Sequence, residues 1–174
     1  MEIKTIIDDK TKVNIELGAG CGEFGFKYLT HCYITEYDLW YEKNCEQHYV
    51  DFFEIDAKNL YFWKENRFKH IIMCNPFDYG FNGIEQSEEL LRELCRVLEK
   101  EGKITVIATE TNKWGAYEKI KSILRKIKFE NVEFKLDEKN DLDIKYRSHN
   151  FMQRFLNQKI SSTLYQSTIY VSKY

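Results

Sequence analysis

Four glycines, Gly18, Gly20, Gly22 and Gly25, fall within eight consecutive positions, directly behind the short apolar run Val13–Leu17. A backbone without Cβ atoms turns sharply and lies close against a ligand. Gly20, Gly22 and Gly25 satisfy G-x-G-x-x-G, and Asp38 stands about 20 residues on, the spacing of a dinucleotide-binding turn. Such a turn begins immediately after its strand, however, and counted from Gly18 the third glycine's place holds Glu23. A second constellation, Asn75-Pro76-Phe77-Asp78-Tyr79, follows the apolar run Phe68–Cys74 and contains the chain's only proline. Its carboxylate can take a proton or pair with a cationic amine. The rings of Phe77, Tyr79 and the nearby Phe81 can hold a cation by cation–π contact.

The elements around these residues alternate. Val13–Leu17 reads as a strand, Glu23–Leu29 as a helix and Cys32–Asp38 as a second strand. Tyr49–Asp56 alternates in the strand manner, and Phe68–Cys74 has the length and apolar content of a buried parallel strand. Leu90, Leu91, Leu94, Cys95 and Leu98 recur at helical spacing, with Gly102 expected to stop that helix in a left-handed turn. Lys103–Thr109 is a further strand, and Ala116, Ile120, Ile123, Leu124 and Ile127 form the stripe of another helix. Asn131–Leu136 and Ser167–Tyr174 complete the strands, separated by a polar and aromatic insertion at 137–166. Strands alternating with helices imply an α/β, doubly wound, single-domain fold over 1–174. The expected sheet is mostly parallel and seven-stranded, with an antiparallel C-terminal edge strand.

Composition narrows the function classes. Hydrophobic residues make up 43% and charged residues 31% of the 174, a globular rather than disordered balance. The net charge of -2 gives no global attraction to nucleic acid. No run approaches the length of a membrane span, and a cytoplasmic protein is expected. Cys21, Cys32, Cys45, Cys74 and Cys95 lack a C-x-x-C spacing, as His31, His48, His70 and His149 lack ligand spacing. No metal site and no disulfide is expected from them, and the cysteines read as free thiols in or near the core.

The stretch Glu16-Leu17-Gly18-Ala19-Gly20-Cys21-Gly22 resembles the first motif of the class I S-adenosylmethionine-dependent methyltransferases, an acid, one residue, then G-x-G-x-G. The resemblance continues in order through "YITEYDL", "IDAKNL", "MCNPFDYGF" and "LLRELCRVLEKEGKITVI", over nearly the whole chain. It implies the cofactor S-adenosyl-L-methionine. Gly18, Ala19, Gly20 and Gly22 would face its methionine part, and Glu16 would bind its ammonium group through water. The ribose hydroxyls would fall to Asp38, with Glu36 the alternative because the preceding helix is short. Asp56 would accept from the adenine amino group and Ala57 would offer backbone contacts.

Asn75-Pro76-Phe77 is similar to the N-P-P-Y signature of methyltransferases acting on planar nitrogens. In that signature the Asn oxygen accepts from the target NH2 and an aromatic ring stacks on its plane, so Asn75 would stand beside both cofactor and acceptor. Here Phe77 replaces the second proline, and Asp78 replaces the tyrosine, displacing Tyr79 by one position. The implied activity is methyl transfer to a nitrogen of a small molecule or peptide. The alternatives are a nucleic-acid base as acceptor and a methyltransferase-fold binding protein without catalysis. Little chain precedes Val13 to cover the cofactor face, which a second copy or a partner protein would close. The insertion at 137–166 reads as a lid, a substrate-reading segment, a dimer contact or a solvated helix.

Overall fold

In the computed structural model, the described residues are 7–74, 76, 83–109, 117–137, 140–141 and 164–174. They form β1 (Asn14–Leu17), α1 (Glu23–Tyr28), β2 (Cys32–Glu36), α2 (Leu39–Asn44), β3 (Phe52–Phe53) and β4 (Phe68–Cys74). Then follow α3 (Ile84–Val97), β5 (Leu98–Thr109), α4 (Tyr117–Lys126), β6 (Val132–Leu136), β7 (Asn140–Asp141) and β8 (Leu164–Lys173). The sheet order is β3-β2-β1-β4-β5-β8-β6, with the two-residue β7 paired to β8. Neighbours from β3 to β5 run parallel, whereas β8 is antiparallel to both β5 and β6. The antiparallel strand is thus not at the edge: β8 inserts between β5 and β6, and β6 closes that side.

Alternation along the strands sorts the core. Ile15, Leu17, Ile71, Met73, Ile104, Val106, Ile169 and Val171 are buried in one cluster with Leu90, Leu91 and Leu94 of α3 and Ile120, Ile123 and Leu124 of α4. Phe24 of α1, Cys32, Ile72, Cys74 and Ile107 form a smaller cluster. Beyond it the same register positions become polar, and His70 Nε2 meets Thr105 Oγ1 at 2.8 Å, with Thr105 beside Thr168. Burial holds the His70 pKa down at about 4, so the ring is neutral inside the sheet.

Two local expectations change. The strand expected over Tyr49–Asp56 shrinks to Phe52–Phe53, because Asp51 turns its carboxylate onto the Ile34 N–H and Glu54 has a positive φ of 65°. Between β3 and β4 the described chain is irregular and held from α3. Glu93 Oε1 accepts the Leu60 N–H at 2.6 Å, while Arg96 donates to the Trp63 and Leu60 carbonyls. Gly102 does not stop α3: the helix ends at Val97 with Leu98 already extended, and Gly102 lies inside β5 opposite Val171. Packing explains the glycine, since a Cβ there would stand 2.8 Å from Leu98 Cδ2.

Among the described residues no helix is long and apolar enough to cross a membrane. Among the described residues, no three His, Cys, Asp or Glu side chains cluster as metal ligands would.

Candidate functional site

The apolar strand β1 ends at Leu17, where the glycines begin. Gly18, Gly20 and Gly22 have φ of 66°, 61° and 81°, a left-handed backbone that side chains make costly. The loop is tied to β2 by Ala19 N–H donating to the Thr35 carbonyl at 3.0 Å. It is tied again by Gly20 N–H donating to Glu36 Oε2 at 2.6 Å. Tyr41 of α2 supports it from the side, with Cε1 3.4 Å from where a Gly20 Cβ would stand. Gly22 leads into α1, and a Cβ on it would approach the Tyr49 carbonyl carbon to 3.0 Å.

Glu36 and Asp38 take different roles. Glu36 ends β2, is 6% exposed, and receives a second and a third N–H on Oε1, from Tyr37 at 2.8 Å and Asp38 at 2.9 Å. Burial pushes its pKa up while these N–H groups oppose the shift. Asp38 is exposed and caps α2, its Oδ1 accepting from the Trp40 N–H at 2.8 Å. The Ile55 N–H reaches the Glu36 carbonyl at 3.3 Å, which brings Asp56 beside the end of β2. Asp56 is half-buried with Oδ1 on the Lys58 N–H, and Ala57 is buried. The loop, Glu36 and Asp56 therefore converge at the carboxyl ends of β1, β2 and β3, where open α/β sheets bind ligands.

Glu16 lies elsewhere. Its side chain points beneath α1 and is 1% exposed, packed against the Gly25 backbone and the buried Cys74 thiol. A Cβ on Gly25 would collide with Glu16 Oε2, so the fourth glycine lets α1 settle on the acid. Burial first, and the neighbouring Glu36 second, push the Glu16 pKa up to about 8. The acid is thus held in its neutral form at pH 7, under the loop rather than on its surface.

Cys21 of the glycine loop is disulfide-bonded to Cys45, which follows α2, with Cα atoms 5.9 Å apart. This corrects the expectation of five free thiols. Cys32, Cys74 and Cys95 are free and buried, as expected. Sequence spacing gave no warning, because the partners are 24 residues apart and meet only when α2 folds back on the loop. Tyr41 was missed for the same reason, and Trp40, 58% exposed beside the Asp38 cap, is a further ring at this edge.

Of the second constellation, Pro76 is described and buried just beyond β4. Asn75, Phe77, Asp78, Tyr79 and Phe81 lie outside the described residues, as do Ala116 and most of the insertion at 137–166. A cavity of about 940 Å³ opens at the opposite end of the sheet, lined by Glu65, Arg92, Arg96 and Lys173 among others. Its central cations are engaged in structure. Lys173 Nζ donates to Asn66 Oδ1 and to the Cys95 and Leu98 carbonyls, and Arg96 pairs with Glu93.

No family model matches the chain, and no curated protein matches it. Solved structures do. A 30S ribosomal methyltransferase from an uncultured bacterium superposes with a TM-score of 0.61 at 16% identity, covering 97% of this chain and 96% of that one. The 16S rRNA methyltransferase KamB gives a TM-score of 0.60 at 12% identity, covering 95% and 88%. A structure described as an antibiotic-related methyltransferase gives 0.58 at 16% identity, covering 98% of both chains. With the strand order and the single antiparallel insertion, these likenesses give the chain the class I methyltransferase fold.

Proposed function

We propose that the chain binds S-adenosyl-L-methionine on its glycine loop and transfers the methyl group to a nitrogen of a small molecule or peptide. The observation that carries the reading is the hydrogen bond from Gly20 N–H to Glu36 Oε2. It brings a backbone bare of Cβ atoms and a buried acid to one place, so that a single ligand can touch both. A carboxylate has about four lone-pair sites, and three of Glu36's are taken by backbone N–H groups. The fourth accepts a ribose hydroxyl. In this reading Glu36 replaces Asp38 as the ribose ligand, since Asp38 serves the cap of α2. Gly18, Ala19, Gly20 and Gly22 take the methionine part, while Asp56 Oδ2 and the Ala57 backbone take the adenine edge.

Bound there, the cofactor supplies a methyl group activated on a sulfonium. The acids of the site favour that cation electrostatically. Asn75 orients the acceptor nitrogen through its side-chain oxygen, and Asp78 takes the proton that nitrogen loses. Phe77 and Tyr79 would hold a cationic sulfonium or ammonium by cation–π contact. Proximity and alignment then account for most of the rate. Calorimetric titration with S-adenosylmethionine and with NAD tests the assignment: binding of the first and not the second is expected, and the reverse overturns it.

A nucleic-acid base is the second acceptor, and what favours it is that two of the neighbours are described as ribosomal methyltransferases. The net charge of -2 favours the small acceptor instead. Bulk RNA added as a competitor separates the two, because it suppresses methylation only if the acceptor site is built for nucleic acid.

A further inference from the structure

We propose that Cys21 and Cys45 are a thiol–disulfide couple that sets the order of the glycine loop and, through it, the affinity for the cofactor. The affinity part rests on the reading of that loop as the cofactor's seat. Cys21 stands between Gly20 and Gly22, the two glycines with φ of 61° and 81°. A loop with this backbone is intrinsically free, and its order comes from what ties it down. The ties around Cys21 are the Gly20 bond to Glu36, the Tyr41 ring, the Cys21 carbonyl accepting from Tyr49 N–H at 2.8 Å, and the disulfide itself. Cys45 anchors the far end, its N–H donating to the Tyr41 carbonyl at the close of α2. The disulfide therefore joins the loop to the helix that also carries Tyr41 and follows Glu36. Of these ties, it alone can be made and broken by a two-electron reaction.

The chemistry is confined to this pair. Cys21 and Cys45 are half-buried, within reach of an external thiol. Cys32, Cys74 and Cys95 are buried, and burial pushes the Cys95 thiol up to about 12 and the other two upward as well. Those three have almost no thiolate for exchange. In the reduction, the thiolate of a low-molecular-weight thiol attacks one sulfur, and the S–S bond breaks. The other cysteine leaves as thiolate and takes up a proton. A second thiol resolves the mixed disulfide, so that two thiols are oxidised to their disulfide while Cys21 and Cys45 gain two electrons and two protons. The oxidised form holds the loop pre-organised. The reduced form must order it on binding and binds more weakly.

The test equilibrates the full chain in graded mixtures of reduced and oxidised glutathione, followed by alkylation and mass spectrometry. Cys21 and Cys45 should label as a pair across the mixtures while Cys32, Cys74 and Cys95 stay unlabelled. A pair that remains oxidised in every mixture is a static crosslink, and the proposal fails. Hydrogen exchange of residues 18–25 is then compared between the two forms, with at least fivefold faster exchange expected after reduction; equal rates overturn the proposal. Calorimetry with S-adenosylmethionine should give a three- to tenfold weaker Kd for the reduced chain, matched by Cys45→Ser under oxidising conditions. Equal Kd values with altered exchange overturn the coupling to affinity. Absence of binding in both forms refutes the proposed function instead, and exchange still decides whether the couple orders the loop.

Discussion

Glu36 Oε2 and the Gly20 N–H, 2.6 Å apart, join the end of β2 to the middle of the glycine loop. The acid is 16 residues from its donor and buried at a strand end, so this bond fixes where the loop lies rather than merely decorating it.

Gly20→Val tests that loop. At φ 61° a side chain costs about 1–2 kcal/mol, and its Cβ already stands 3.4 Å from Tyr41 Cε1, leaving the two methyls of valine to project beyond it. S-adenosylmethionine binding by calorimetry should fall at least a hundredfold while the far-ultraviolet circular dichroism remains that of the wild type. Retained affinity in a folded variant removes the loop from the site.

Glu36→Ala and Asp38→Ala should separate binding from capping. The first should weaken cofactor affinity by about 1.5–3 kcal/mol through loss of charge-assisted hydrogen bonds. The second should lower unfolding stability by about 0.5–2 kcal/mol through the lost cap and leave the Kd within twofold. The opposite pattern returns the ribose to Asp38.

Glu16 makes stability depend on pH in the direction opposite to most acids. Its pKa is about 8 in the folded chain against 4.5 as the ordinary value, so between those limits the folded state holds a proton that the unfolded state has released. Its contribution is therefore complete below pH 4.5 and is lost as the pH rises through 8, with a limiting slope of about 1.4 kcal/mol per pH unit. Glu16→Gln, neutral throughout, should lose this slope. Denaturant unfolding at pH 5, 6.5 and 8 checks it, and parallel curves for wild type and variant would show that Glu16 is not protonated in the fold.

Asn75→Ala should slow methyl transfer by ten- to a thousandfold, about 1.4–4 kcal/mol, with cofactor affinity changed by less than about 1 kcal/mol. A screen of cell extract with isotope-labelled cofactor supplies the acceptor. Wild-type labelling of that acceptor by the variant removes Asn75 from the reaction.

Apolar pattern made most of this architecture readable. The apolar runs in β1, β4 and the second half of β5 are what strands buried on both faces require, and the leucines of α3 mark its buried side. The order of glycines and acids likewise pointed to the loop and to Asp56, and it put Asp38 ahead of Glu36. What stayed hidden depends on tertiary placement. α2 buries none of its six residues, so it leaves no apolar stripe, and its one local signal was the Asp38 cap. Gly102 read as a helix stop because a glycine needed for packing against Leu98 and one needed for its φ are the same letter. Glu36 and Asp38, two residues apart, differ only in where the strand ends.

The position of β8 bears on how the chain is made. Its residues 164–173 fill the gap between β5 and β6, so β6 and β7 emerge from the ribosome while β5 still presents an open edge. That edge is long, from Leu98 to Thr109, and carries the buried Ile104, Val106 and Ile107. Contacts that span so much sequence form late. Until β8 is synthesised, the nascent chain displays a template for pairing with other chains, and its yield in the cell should depend on chaperones that cover an unpaired strand.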